Sequence, residues 1–147
     1  MNSKGMTLVE MIVTVSIIGI LVTLATVNYS SIRRKAMVEN DAKRIYALSN
    51  KARQFSFTWK DTLKLNIASG EASVVYADNG NVASGLNAEL DTTFAKNGDI
   101  TFKDGFVVIT GSVTTAGSDT GAEYDCVLFQ ASRIKLGKLD GGNCDIK

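Results

Sequence analysis

The sequence predicts an α+β fold in which one long N-terminal helix packs, by its second half, on an antiparallel β-sheet. Three zones of composition support this prediction. An apolar stretch comes first, a charged stretch with helical periodicity follows, and the remainder is rich in turn residues between alternating apolar ones. These zones divide the 147 residues into a short segment at 1–5, an apolar helix at 6–28, its amphipathic continuation at 29–57 and a β domain at 58–147.

The apolar segment is long enough to span a membrane. From Met6 to Val27 nearly every residue is apolar or small, and a helix needs roughly 20 such residues to cross a hydrocarbon core of ~30 Å. Glu10 is the only charged residue in this segment. A charge at the centre of a membrane helix costs ~2.5–3.5 kcal/mol on insertion scales, so Glu10 is a candidate functional residue.

A capping box and a secretory signal peptide are also compatible with this segment. Thr7-Leu8-Val9-Glu10 fits a capping box, in which Glu10 stabilises the helix start and faces the positive end of the helix dipole. A signal peptide would have Lys4 in its basic region and a core at Met11–Ala25. Glu10 would interrupt such a leader, and the apolar run is long for one.

Type IV pilins and the pseudopilins of type II secretion have a prepilin cleavage motif that is similar to the segment Lys4-Gly5-Met6-Thr7-Leu8-Val9-Glu10-Met11 of this chain. In that family a short basic leader ends in Gly, an apolar residue follows, and Glu is the fifth residue of the mature chain. Residues 1–5 correspond to the leader here, and Glu10 is fifth counting from Met6. The resemblance implies that a prepilin peptidase cuts after Gly5 and that the new amino terminus at Met6 is methylated.

The resemblance also implies how the chain assembles. In the family the Glu carboxylate pairs with the N-terminal amine of a neighbouring subunit, which gives Glu10 an assembly role. The expected partners are homologous pilin subunits, an inner-membrane assembly platform and the lipid membrane, with the C-terminal domain outside the cytoplasm. The sequence departs from the family pattern in two ways. Met6 stands where Phe is usual, and the proline that many major pilins have later in this helix is absent near Asn28. The segments Ala52-Arg53 and Ile100–Gly105 are similar to those of minor pilins and minor pseudopilins.

Residues 30–57 are predicted to continue the same helix, to a total of ~50 residues and ~75 Å. Its apolar stripe consists of Ile32, Ala36, Ala42, Ile45, Leu48, Ala52 and Phe55. The same half is basic, with Arg33, Arg34, Lys35, Lys43, Arg44, Lys51 and Arg53 against Glu39 and Asp41. Contact with DNA is one hypothesis for this face, and a solvated face that pairs with acidic groups on neighbouring subunits is the favoured one.

The position of these basic residues supports an alternative function. Arg33, Arg34 and Lys35 directly follow the apolar segment, and under the positive-inside rule they favour a C-terminal domain in the cytoplasm. A single-pass membrane-anchored binding module that does not polymerise is therefore the alternative to a filament subunit.

Beyond Phe57 the sequence predicts strands and hairpins. Trp59, Leu63, Leu65 and Ile67 fit one face of a strand, and Val74 and Tyr76 fit the next. Asn79-Gly80-Asn81 and Lys103-Asp104-Gly105 are turn signals, the second between Asp99–Phe102 and Phe106–Val113. Tyr124–Gln130 and Arg133–Leu139 form a predicted last pair of strands.

Cys126 and Cys144 enclose about 18 residues, and they form a disulfide if the domain lies outside the cytoplasm, or stay reduced if it does not. The chain has no histidine, no nucleophile–base set, no phosphate-binding glycine loop and no metal-ligand spacing. We therefore expect no enzyme activity, no metal and no cofactor. Glu123 and Asp125 are expected to be solvated carboxylates at a strand edge.

Overall fold

The computed structural model describes residues 7–117 and 120–146, without the side chains of residues 24–28. Within this part of the chain it confirms the α+β class, with one helix, α1 (Leu8–Trp59), and ten strands. The strands are β1 (Leu63–Ala68), β2 (Glu71–Tyr76), β3 (Val82–Glu89), β4 (Phe94–Asn97), β5 (Thr101–Lys103), β6 (Phe106–Ile109), β7 (Gly111–Thr115), β8 (Cys126–Phe129), β9 (Ile134–Asp140) and β10 (Asn143–Ile146). The chain divides into two compact units, Met1–Arg34 and Lys35–Lys147.

The strands form two antiparallel sheets, where the sequence predicted one. Sheet A has the order β3-β2-β1-β5-β6, and sheet B has the order β10-β9-β8-β7-β4. The predicted strand Phe106–Val113 is interrupted at Thr110, so that β6 pairs with β5 in sheet A and β7 pairs with β4 and β8 in sheet B. Gly111 permits this change of sheet, because a Cβ there would collide with the carbonyl oxygen of Asn97.

Three of the predicted turns and pairings are confirmed. Asp104 and Gly105 have φ angles of 51° and 83° and join β5 to β6, as a two-residue hairpin loop requires. β8 pairs with β9, and at the predicted turn between β2 and β3 the Gly80 N–H donates to the carbonyl oxygen of Tyr76. The assignment of Trp59 to a strand was wrong, because α1 continues to Trp59 and ends where Lys60 adopts a φ of 61°.

The second half of α1 contributes the predicted apolar stripe to the core of the second unit. Ala42, Ile45, Leu48 and Ala52 are buried together with apolar side chains from both sheets, and Phe55 is half-buried. Val38 is also buried and was missed. Ala36 is exposed, contrary to the prediction, because two residues along a helix turn the side chain by ~200°, away from the face that Val38 occupies.

Ile32, the first residue of the predicted stripe, is also exposed. It belongs to the first unit, which ends at Arg34. The stripe that is buried in the second unit therefore begins at Val38 rather than at Ile32.

A buried carboxylate fixes this part of α1 to the segment that follows β3. Asp41 is fully buried, and one of its oxygens accepts hydrogen bonds from the N–H and the hydroxyl of Thr92, both at 2.7 Å. Its other oxygen accepts from Arg44 at 3.2 Å. Arg44 also contacts Asp91 at 3.1 Å and the carbonyl oxygen of Glu89 at 3.0 Å. The sequence placed Asp41 among the charges of a basic face, whereas it has a structural role in the core.

We expect Asp41→Asn to lower the free energy of unfolding by about 2 kcal/mol, because a buried donor then loses its acceptor. Whichever way the amide turns, its NH₂ group faces either Thr92 or Arg44. Chemical denaturation of the full chain in mild detergent measures this change.

The matched control is Asp91→Asn, which removes a carboxylate from the same arginine at a side chain that is 57% exposed. We expect that variant to change the free energy of unfolding by less than about 0.5 kcal/mol. Equal effects of the two substitutions would contradict the structural role of Asp41.

Candidate functional site

The start of α1 separates the two roles that the sequence allowed for Glu10. Thr7 precedes the helix, and its hydroxyl oxygen accepts the backbone N–H of Glu10 at 3.3 Å. The Thr7 carbonyl oxygen accepts the N–H of Met11 at 3.2 Å. The Glu10 side chain is exposed and has no hydrogen bond or ion pair to any residue that the structure describes. Thr7 therefore caps the helix, and the Glu10 carboxylate is left for another partner.

Large apolar side chains surround the first part of α1. Eleven of them between Leu8 and Val22 are at least 50% exposed, and the set consists of Leu8, Val9, Met11, Ile12, Val13, Val15, Ile17, Ile18, Ile20, Leu21 and Val22. Successive helical residues point ~100° apart, so this set covers all sides of the helix rather than one stripe. A helix that is apolar all round is stable only when lipid or other protein covers it.

The hydroxyl groups in this stretch are satisfied by the helix itself. The side chains of Thr14, Ser16 and Thr23 donate to the carbonyl oxygens of Met11, Ile12 and Gly19, at 2.9, 2.7 and 2.8 Å respectively. These donors therefore need no water, which is the condition for placing a hydroxyl in an apolar medium. Glu10 is the only acidic or basic side chain in the sequence from Thr7 to Ile32.

Other parts of the predicted site lie outside the described residues. They are the cleavage position at Gly5 and the methylated residue Met6, and both assignments stay predictions. In the part of the chain that the structure describes, no helix combines the length and the apolar character needed to cross a membrane. The span predicted at Met6–Val27 includes positions outside that part, and it also stays a prediction.

The predicted disulfide is present and lies at one end of sheet B. Cys126 in β8 is bonded to Cys144 in β10, with their Cα atoms 5.9 Å apart. The bond passes over β9 at Gly137, the residue paired with Cys126. A Cβ on Gly137 would lie 2.9 Å from the Cys144 sulfur, so the absence of a side chain there makes room for the bond.

Asp125, next to the disulfide, is buried rather than solvated, which corrects the sequence-based prediction. Its two oxygens accept the N–H of Leu139 at 2.6 Å and the hydroxyl of Thr120 at 3.0 Å. Glu123 is exposed, as predicted, and its backbone N–H donates to Glu39 at 2.9 Å. Asp125 thus fixes the segment before β8 to β9. Its role is therefore structural.

Several cations of the predicted basic face have partners inside the second unit. Lys43 lies 3.7 Å from Glu39, Arg44 bonds Asp41, and the Arg53 side chain donates to the Gly105 carbonyl oxygen at 3.0 Å. The carboxylates of Glu39 and Asp41 thus offset the charges of Lys43 and Arg44, whereas Arg53 keeps its charge. Within residues 7–117 and 120–146, no group of three or more His, Cys, Asp and Glu side chains is arranged to bind a metal ion.

An aromatic groove was not predicted from the sequence. Phe57 and Phe106 are 61% and 57% exposed, and they line a groove of about 390 Å³ with Asn50, Arg53, Gln54, Asp104 and Gly105. The hairpin loop is held there because Gly105 N–H donates to the Ser56 hydroxyl oxygen at 3.1 Å. The groove is formed by two segments about 50 positions apart, residues 50–57 and 104–106, so no local pattern in the sequence predicts it. The sequence signal that could have indicated it is Phe57, an aromatic residue outside the apolar stripe of the helix.

Comparison with known protein families matches residues 1–26 to the prokaryotic N-terminal methylation motif. This is the prepilin motif of type IV pilins and pseudopilins, and the match confirms the resemblance predicted from the sequence. The matched range includes Gly5, Met6 and Glu10. Searches among curated proteins and among solved structures found no match to the chain.

We expect replacement of both Cys126 and Cys144 by Ala to lower the free energy of unfolding by ~3 kcal/mol, the value that chain entropy gives for a loop of this length. Chemical denaturation of the oxidised protein and of the variant measures the difference. As controls, a reducing agent should shift the wild-type protein to the stability of the variant and leave the variant unchanged. Equal stability of the oxidised protein and the variant would show that the bond adds nothing.

Proposed function

We propose that this chain is the precursor of a subunit of a type IV pilus-like filament or of a type II secretion pseudopilus. The subunit inserts in the inner membrane and assembles through the first half of α1. The observation that carries the proposal is Glu10, an exposed carboxylate with no partner among the described residues, on a helix that is apolar on every side. The prepilin motif at residues 1–26 supports it independently.

Processing prepares the assembly surface. Cleavage after Gly5 by a prepilin peptidase removes Lys4, the only charged residue before Glu10, and creates an amino terminus at Met6. Methylation of that amine keeps its positive charge. In sequence the amine is then two residues before Leu8, the first residue of α1. A helix start disfavours a positive charge because of the helix dipole, so a neighbouring carboxylate stabilises the amine.

Glu10 supplies that carboxylate from a neighbouring subunit. In lipid or between packed apolar helices, a carboxylate or an ammonium alone is costly, whereas the two together offset most of the cost. Between Leu8 and Thr23 the other described side chains are apolar or bond their own helix, so the pair is the strongly directional contact of this stretch. It fixes the axial register between neighbouring helices.

The disulfide supports a location for the second unit outside the cytoplasm, because such bonds persist in oxidising compartments. The basic residues Arg33, Arg34 and Lys35 favour the opposite orientation under the positive-inside rule. We give the disulfide more weight, because Gly137 in β9 leaves room for a bond that a reduced cytoplasmic domain would not need.

The second candidate function is a membrane-anchored binding module that does not polymerise. The exposed groove at Phe57 and Phe106 favours it, because aromatic side chains beside an arginine and two amides are common in binding surfaces. Such a module needs an apolar anchor, but it does not need the Glu10 carboxylate within that anchor. Removal of this carboxylate therefore distinguishes the two functions.

We expect Glu10→Ala to enter the membrane normally and to be incorporated into filaments at least a hundredfold less than wild type. The expected loss is large because an ammonium left buried without its partner costs ~3–5 kcal/mol. The measurement compares immunoblots of sheared filaments with those of the membrane fraction, in cells that carry the matching assembly machinery.

Thr7→Ala is the matched control, because it removes the hydroxyl that caps the helix and leaves the carboxylate in place. We expect it to cost ~1 kcal/mol of helix stability and to keep incorporation within a few-fold of wild type. If the Glu10 variant assembles as well as wild type from equal membrane levels, the proposed role of Glu10 is wrong.

A further inference from the structure

Two arginines directly beyond the apolar stretch have no partner in the described part of the chain. Arg33 and Arg34 are exposed, and neither has a hydrogen bond or an ion pair with a described residue. Tyr29 and Ile32, which lie beside them in the first unit, are exposed by 67% and 65%. An aromatic residue, an aliphatic residue and two guanidinium groups are thus presented together on the last two turns of that unit.

Along the helix, Tyr29 lies at the level of the headgroup layer of a bilayer, and the backbone of Arg33 and Arg34 lies just beyond that layer. Val27 ends the apolar segment, and at ~1.5 Å per residue Tyr29 lies ~3 Å and Arg33 ~9 Å beyond it along the axis. A bilayer is ~30 Å thick in its hydrocarbon core and ~40–45 Å with its headgroups, so each headgroup layer extends ~5–8 Å. Tyrosine is enriched at this level in membrane proteins.

In an inserted helix, the side chains of the two arginines are long enough to reach back into that layer. The Cα–Cβ bonds of a helix tilt toward its N-terminus, which here is the direction of the membrane. Long basic side chains use this tilt to keep the stem on apolar surface while the charged group stays among polar headgroups. A guanidinium group then binds a phosphate through two parallel N–H donors.

We propose that Arg33 and Arg34 bind the phosphates of anionic phospholipids in the leaflet at the C-terminal end of the apolar segment, with Tyr29 at the interface. The inference rests on the proposed membrane insertion and names a lipid partner that the proposed function does not require. It also gives these charges a role on the side of the membrane that lies outside the cytoplasm. Under the positive-inside rule, the transfer of the two arginines across the membrane is unfavourable. Once they have crossed, anionic lipid binds them in the leaflet outside the cytoplasm.

The next acidic residue in the sequence after these arginines, Glu39, does not neutralise them. Its carboxylate already contacts Lys43 at 3.7 Å and accepts the N–H of Glu123 at 2.9 Å. Glu39 therefore has its own partners within the second unit.

The test uses the full chain in lipid nanodiscs with equal amounts of phosphatidylglycerol and phosphatidylcholine, from which native mass spectrometry counts the lipids that stay bound. A basic residue near an anionic surface contributes ~1 kcal/mol, which is about fivefold in binding. We expect wild type to retain phosphatidylglycerol at least fivefold over phosphatidylcholine. In the double variant R33Q/R34Q this ratio should fall to about one.

The control variant K51Q/R133Q removes two exposed basic side chains of the second unit, and it should keep the wild-type ratio. The inference would be overturned if wild type showed no preference for phosphatidylglycerol, or if R33Q/R34Q kept that preference. It would also be overturned if the control variant lost the preference to the same extent as R33Q/R34Q. Displacement of the lipid by inorganic phosphate at millimolar concentration would overturn it as well, because the site would then bind any phosphate.

Incorporation into nanodiscs of phosphatidylcholine alone separates this inference from the proposed function. A chain that enters neutral nanodiscs and shows no headgroup preference contradicts the inference and leaves membrane insertion intact. A chain that does not enter neutral nanodiscs contradicts the insertion itself, and with it both proposals.

Discussion

The first half of α1 exposes apolar side chains on every side, which is unfavourable in water, and the role proposed for Glu10 follows from this constraint. Covering one large apolar side chain contributes ~1.5–3 kcal/mol, so covering the eleven exposed between Leu8 and Val22 contributes on the order of 20 kcal/mol. The cost of Glu10 in a membrane, ~2.5–3.5 kcal/mol, is small beside this value. Burial is therefore favourable despite the charge, and in the proposed filament the carboxylate selects which neighbours fit.

The second unit is stabilised by interactions that do not involve this surface. The stripe from Val38 to Ala52 fills the core against both sheets, Asp41 fixes α1 to the segment after β3, and the disulfide joins β8 to β10. Its polar side chains that are buried all have hydrogen-bond partners within the described residues. One helix thus contributes its second half to domain stability, while the first half is the part to which we assign association.

The local features of this division could be predicted from the sequence, whereas the long-range ones could not. An isolated charge in an apolar run marked Glu10, helical spacing marked Ile45 and Leu48, and Asp104-Gly105 marked a hairpin, since each signal lies within a few residues. The burial of Asp41 depends on Thr92, 51 positions away. The change of sheet at Gly111 depends on Asn97 in another strand, and no pattern within Phe106–Val113 reveals it.

Assembly as proposed requires that the N-terminus is processed so that an amine meets Glu10 of a neighbour, in a protein whose second unit lies in an oxidising compartment. Intact mass and N-terminal sequencing of the chain recovered from membranes test this directly. We expect a chain that starts at N-methylated Met6 with Cys126 and Cys144 oxidised. A chain that starts at Met1 with free thiols would contradict the proposal and favour the cytoplasmic anchored module, and a start near Thr26 would identify an ordinary secreted protein.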